Sequence, residues 1–262
     1  PLAPEAVEPH ESLVQTAEDA GDLASLIFTS GTTGSPKGVM LTHENFTHLL
    51  TNLQQTFSID EEAEFVSVLP LHHTFEFACG FLLPLSEGAS ITYLEELDGT
   101  ELLSAAAGNR ASALVGVPAL WELLYKRIEG QVDAAPRAVS WALRAMHSLN
   151  STLRDRWDIN VGPVVFAPVH QAFGGDLEYL VSGGAALPGD ILEAFYGLGF
   201  DLYEGYGLSE ASPVLTVNQP DDGITPGSVG TALPDVEVDI HYPNDEGVGE
   251  VIARGPNVMP GY

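Results

Sequence analysis

The 262-residue chain is 45% hydrophobic, apolar mass enough for a globular protein that buries about 70–75% of its unfolded surface. Its 37 acidic residues against 9 basic ones give a formal charge of −28, which excludes nucleic acid held on a basic face. The single cysteine, Cys79, excludes an intramolecular disulfide; in its apolar stretch it reads as a buried, inert thiol in a reducing compartment.

Glycine and proline divide the chain into short apolar runs that alternate with helical patterns, and no repeat of 20–50 residues is present. Residues 25–28, 65–69, 89–93, 113–117, 177–181 and 200–203 are apolar runs bounded by turn signals, as expected for buried strands of a largely parallel sheet. Phe46, Leu49, Leu50, Leu53 and Phe57 recur at helical spacing after Thr42, a candidate N-cap, and Leu120, Leu123, Leu124 and Ile128 do so after Pro118. Trp141, Ala145, Leu149, Leu153 and Trp157 recur every four residues, which predicts an amphipathic helix whose aromatic stripe faces the core. Pro188 opens a further helix with Ile191, Leu192 and Phe195, ending at Gly199 as a C-cap.

Beyond Pro213 the character changes. Val236, Val238 and Ile240 alternate with Glu237 and Asp239, and Val251 and Ile252 come after a Gly/Asp turn, so the last stretch reads as half-buried antiparallel strands. A boundary near Asn218 divides an α/β portion, 1–218, from a β-rich portion, 219–262. The fold class is therefore α/β: largely parallel sheet flanked by helices, followed by the first strands of a barrel-like subdomain.

No apolar run approaches the roughly 18 residues of a membrane span, the longest being 77–85, and the first residues lack a basic-then-apolar leader pattern. The sequons at Asn45 and Asn150 are set aside for want of such a leader. Lys37 and Lys126 are the only lysines among abundant carboxylates, a bias expected of a solvated acidic surface suited to high salt, with an acidic interaction face as the competing account.

The chemistry concentrates in Thr29-Ser-Gly-Thr-Thr-Gly-Ser-Pro-Lys-Gly38, directly after the first strand candidate. Its glycines let backbone N–H groups approach anionic oxygens, its hydroxyls donate, and Lys37 adds a point charge, so the segment suits polyphosphate; a polar turn is the alternative. It is not a Walker A loop, because Lys37 comes after Pro36 and precedes Gly38. Gly205-Tyr-Gly-Leu-Ser-Glu210 fails as a dinucleotide fingerprint, since Glu210 stands where the third glycine belongs.

Residues 25–43 closely resemble the AMP-binding signature of the adenylate-forming enzymes, which include acyl-CoA synthetases, luciferases and adenylation domains. Two more segments stand in the family's order: Leu69-Pro-Leu-His-His-Thr-Phe-Glu76 and Tyr203-Glu-Gly-Tyr-Gly-Leu-Ser-Glu210. Leu180-Val-Ser-Gly-Gly-Ala-Ala-Leu-Pro188, with residues 169–175 and 72–80, resembles the long-chain fatty-acid branch.

The resemblance implies that Thr29, Ser30, Gly31, Thr32, Thr33 and Gly34, with Lys37, embrace the β and γ phosphates of ATP, and that Ser209, where the family usually has threonine, donates to the α-phosphate. Glu210 matches the family's Mg²⁺-associated glutamate. Gly183, Gly184 and Ala185 match the segment along adenine and the acyl carboxylate; Glu204, Gly205, Tyr206 and Gly207 form the adenine corner, with Tyr206 stacking. His73 matches the histidine near the acyl carboxylate and the CoA tunnel, with His72 where an aromatic gate often stands.

The activity implied by the resemblance is that of an ATP-dependent ligase joining a long-chain fatty acid to CoA through an acyl-adenylate. A fatty-acyl-AMP ligase or carrier-protein ligase, and a nucleotide-binding module without catalysis, are the alternatives. The resemblance also implies a cytoplasmic protein of lipid metabolism, with peripheral contact at the inner membrane face and the oligomeric state left open. The family's later Thr-Gly-Asp segment and C-terminal lid domain have no counterpart here, so the resemblance implies an internal piece of the large domain with little turnover alone.

Overall fold

Alternate residues of each central strand point to opposite faces of one sheet, and this pleat organises the molecule. The computed structural model describes residues 19–29, 36–94 and 98–262. Strands β3 (Glu64–Ser67), β4 (Ser90–Tyr93), β5 (Ala113–Gly116), β6 (Tyr179–Ser182) and β7 (Leu202–Gly207) run parallel in the order β4-β3-β5-β6-β7. Strands β8 (Val214–Val217) and β9 (Thr231–Ala232) then continue the sheet antiparallel, so the sheet carries on past Asn218.

Val66, Leu114, Leu180 and Leu202 face one side and pack with Leu120, Trp121, Leu124 and Phe195 of the covering helices. Each such fully buried leucine contributes about 2 kcal/mol of apolar transfer. Phe65, Val115, Val181 and Tyr203 face the other side, where the candidate site lies.

The expected helix after Thr42 is α1 (His43–Thr56), and its cap is reciprocal: Asn45 N–H donates to Thr42 Oγ1 and Thr42 N–H donates to Asn45 Oδ1. Pro118 occupies the first turn of α4 (Pro118–Ala134), after α2 (Leu83–Glu87) and α3 (Gly99–Asn109). α8 (Gly189–Leu198) ends at Gly199 with φ 97°, the left-handed cap expected there. Both sequon asparagines are buried and engaged, Asn45 with the carbonyls of Pro256 and Val258 and Asn150 with that of Gly197. Among the described residues no helix is long and apolar enough to cross a membrane.

Three expectations are corrected. Residues 25–28 do not join the parallel sheet: β1 (Leu23–Thr29) forms an antiparallel hairpin with β2 (Lys37–Thr42), leaving Leu26 and Phe28 exposed. A short apolar run does not by itself say which sheet will take it. The second correction concerns α5 (Arg137–Trp157), where Trp141 is 73% and Trp157 61% exposed. A spacing of four turns about 40° per step around a 3.6-residue helix, so these side chains spiral away from any single face.

The inward face of α5 carries Leu143, Met146, His147, Asn150 and Arg154 instead. His147 Nε2 contacts the Ala194 carbonyl at 2.9 Å, Asn150 Nδ2 donates to the Gly197 carbonyl at 3.1 Å, and Arg154 Nη1 donates to those of Tyr196 and Phe200. Apart from that of Ala194, these carbonyls lie in or just beyond the last turn of α8, where a helix leaves its C=O groups without an intrahelical donor. The short helices α6 (Gly162–Val165) and α7 (Ala167–Ala172) complete this layer. The alternating segment near 236–254 forms the expected antiparallel pair, β10 (Glu237–His241) with β11 (Glu250–Arg254), but its strands are exposed and not half-buried: the pair lies outside the main sheet, and Ile240, Val251 and Ile252 all face solvent.

Candidate active site

A cavity of about 560 Å³ lies against the second face of the sheet, lined by Phe57, Phe65, Val115, Tyr179 and Val181 among other mostly apolar side chains. Its polar side is made of segments singled out in the sequence: His73, Gly183, Gly184, Gly205, Tyr206, Gly207 and Ser209 all line it. These residues lie at and beyond the carboxyl ends of β3, β6 and β7, the edge at which parallel sheets bind ligands.

The glycines are there for space. A side chain on Gly183 would meet the ring of Phe75 at 2.7 Å, and one on Gly207 would run into the Pro213 carbonyl. Tyr206, 38% exposed, stands beside them with an aromatic ring able to stack. His72 and His73 lie in the turn before the π-helical segment Glu76–Leu82, their ring centroids 4.3 Å apart. Ala185 is exposed in the turn after Gly184. Glu204 is buried and outside the lining: its Oε1 accepts from Leu187 N–H at 2.8 Å, bracing that turn against β7.

Thr29 and Lys37 face each other across the hairpin, at the two ends of the glycine- and hydroxyl-rich loop. Ser30, Gly31, Thr32, Thr33 and Gly34 lie outside the described residues. Lys37 and the Tyr206–Glu210 corner nevertheless meet through Tyr262. The Tyr262 hydroxyl donates to Glu210 Oε1 at 2.6 Å, and Lys37 Nζ sits 4.6 Å from the centroid of the same ring. A cation and a carboxylate drawn from opposite ends of the chain thereby share one corner beside Ser209.

Glu76 and Tyr262 are the residues that sequence reading passed over. Glu76 is fully buried, accepts from the Ser67 hydroxyl at Oε1, lines the cavity, and among the described residues leaves Oε2 without a partner. Burial raises its carboxyl from an ordinary 4.5 to about 7, the Ser67 hydrogen bond only partly opposing this. Burial, and then the nearby Glu76, push the Cys79 thiol up to about 12, so Cys79 is the inert thiol expected. A lone acid between Phe75 and Phe77 was the available signal for Glu76; nothing in the final Gly-Tyr pair marked Tyr262.

No group of three or more His, Cys, Asp or Glu side chains able to hold a metal occurs among the described residues. Glu210 still fits Mg²⁺ in its usual nucleotide-bound form, in which one or two carboxylates suffice and phosphate oxygens and water complete the shell. Among the described residues only its Oε1 is engaged, by Tyr262.

The sequence profile of the AMP-binding enzyme family matches residues 2–262. The chain belongs to that family. It is 32% identical over 262 residues to the long-chain-fatty-acid–CoA ligase 1 of Homo sapiens, covering 92% of this chain and 36% of that protein. It is 30% identical to the long-chain-fatty-acid–CoA ligase ACSBG2 of Xenopus laevis, covering 94% and 36%. Among solved structures it resembles a malonyl-CoA ligase in ternary product complex with methylmalonyl-CoA and AMP, with a TM-score of 0.71, 27% identity, and coverage of 93% of this chain and 46% of that one. The family member described here thus spans less than half the length of these relatives.

Proposed function

We propose that the whole protein activates a long-chain fatty acid with ATP and then joins it to CoA. The observation that carries this reading is the apolar cavity of about 560 Å³ whose polar side is made of His73, Gly183, Gly184, Tyr206 and Ser209. Such a cavity suits an alkyl chain with its carboxylate at the glycine-lined side, and the likeness to long-chain fatty-acid–CoA ligases supports it.

In the first half-reaction a carboxylate oxygen attacks the α-phosphorus; the new O–P bond forms as the bond to the bridging oxygen breaks, and pyrophosphate leaves. In the second, the CoA sulfur attacks the acyl carbonyl, its proton departs to base, and AMP leaves with the electron pair of the C–O bond. The chain's contribution is positioning and charge. Gly183 and Gly184 let backbone come close to the carboxylate and adenine, Tyr206 stacks on the base, Ser209 donates to the α-phosphate, and Lys37 with the Ser30–Gly34 loop neutralises the β and γ phosphates. Glu210 would hold Mg²⁺, which supplies further charge neutralisation on the phosphates when bound. His73 stands at the meeting of acyl carboxylate and thiol.

ATP–pyrophosphate exchange by the intact protein across a panel of carboxylic acids, with CoA or carrier protein then offered as acceptor, tests the reading. Exchange that peaks with long-chain acids and passes to CoA supports it. Exchange with none of the acids would leave a nucleotide-binding module, and transfer only to carrier protein would replace CoA as the acceptor.

A further inference from the structure

We propose that Tyr262 is a positioning residue that holds Lys37 and Glu210 apart and aims both at the nucleotide; this rests on the adenylate-forming reading of those two residues. The tyrosine meets each of them in a different way. Its hydroxyl donates to Glu210 Oε1, and its ring face carries the Lys37 ammonium, so one side chain bridges the loop hairpin to the turn after β7.

Burial does not explain this placement, since Tyr262 is 57% exposed. The backbone does. Met40 N–H on β2 donates to the Gly261 carbonyl at 3.3 Å, and Met259 N–H donates to the carbonyl of Glu210 itself at 2.8 Å. Upstream, Asn45 Nδ2 donates to the carbonyls of Pro256 and Val258, the Ser212 hydroxyl to that of Asn257, and Asn257 Nδ2 to those of Ala211 and Val214. Residues 256–262 are thus tied on one side to the hairpin and its helix and on the other to the turn bearing Glu210, and Tyr262 ends up between them.

Electrostatics gives the arrangement a purpose. An ammonium and a carboxylate left side by side would pair and neutralise each other, at the expense of phosphate and cation. With the ring interposed, Lys37 is attracted by a π face, which holds a cation while leaving its N–H donors free. Glu210 has one oxygen fixed by a neutral donor and keeps its charge and its other oxygen.

The test is calorimetric ATP affinity of the intact protein, with magnesium and with EDTA, alongside thermal melting. Tyr262→Phe keeps the ring and removes the hydroxyl; it should lose most of the gain that magnesium brings to ATP affinity, about threefold to tenfold, as a lost charge-assisted hydrogen bond would. Tyr262→Leu should also weaken ATP binding in EDTA, as Lys37→Ala should. The double variant Tyr262→Phe/Glu210→Gln should bind no more weakly than Glu210→Gln alone, with melting unchanged in the Phe variant. Wild-type affinities in both Tyr262 variants, while Lys37→Ala and Glu210→Gln lose theirs, would overturn the proposal and leave the adenylate reading standing. Wild-type affinity in all four single variants would overturn both.

Discussion

Gly183 backs onto Phe75 so closely that a methyl group on its Cα would lie 2.7 Å from the ring. Both residues line the cavity, so the strand-to-helix turn after β6 and the start of the π-helical segment set its width together. Gly183→Ala should therefore push Phe75 into the cavity, destabilise the fold by about 1–3 kcal/mol and shift the exchange reaction toward shorter acids. Gly189→Ala, where a side chain would meet nothing within 4 Å, is the control and should leave both unchanged. Denaturant titration and an acid-length profile check the pair.

Glu76 predicts a pH dependence whose sign is fixed by its burial. Below about 4.5 the carboxyl is protonated folded and unfolded; between 4.5 and about 7 only the unfolded chain ionises it, so stability falls as pH rises through that window. Above about 7 the loss is complete, at about 3 kcal/mol. Glu76→Gln should remove this slope, so that the variant gains on wild type as pH is raised. Denaturation midpoints of both proteins across the window would show it, and parallel curves would contradict it.

Trp141 and Asn150 lie on the same helix, and their energetic importance is the reverse of what their hydrophobicity advertises. Trp141 is 73% exposed, and Trp141→Ser should change stability by less than about 0.5 kcal/mol. Asn150 is fully buried, donates to the Gly197 carbonyl and accepts from Val161 N–H at 2.8 Å, so Asn150→Ala should cost about 2–3 kcal/mol by leaving both unpaired. Denaturant unfolding of the two variants measures the contrast.

Of the carboxylates in the described residues, only those of Glu76 and Glu204 are buried, so nearly all of their charge lies on the surface of a chain whose formal charge is −28. Self-repulsion should then be relieved by screening. Raising KCl from about 0.1 to 1 M, which shortens the Debye length from about 10 to 3 Å, should raise the melting temperature. A flat or falling curve would contradict the salt-adapted surface.

Local chemistry decided which features were legible in the sequence. Thr42, Pro118 and Gly199 act within one turn of their own helices, and each does what its side chain or backbone dictates. The apolar runs of β3, β5, β6 and the start of β7 are largely buried on both faces, which makes them legible as parallel strands, whereas β4 lies at the sheet edge with Tyr93 exposed. The hairpin of β1 with β2, the inward face of α5 and the corner at Tyr262 depend on partners far along the chain. His147, Asn150 and Arg154, which dock α5 on α8, cannot be told from a solvated face until the carbonyls they satisfy are known.

The central claim is that Lys37 and the Tyr206–Glu210 corner hold the two ends of one nucleotide, and the most direct measurement compares ATP and AMP affinities of the intact protein. Lys37→Ala should weaken ATP about tenfold or more while leaving AMP, which lacks the β and γ phosphates, unchanged; Tyr206→Ala should weaken both alike. Equal losses for ATP and AMP in Lys37→Ala, or none for either, would contradict the account.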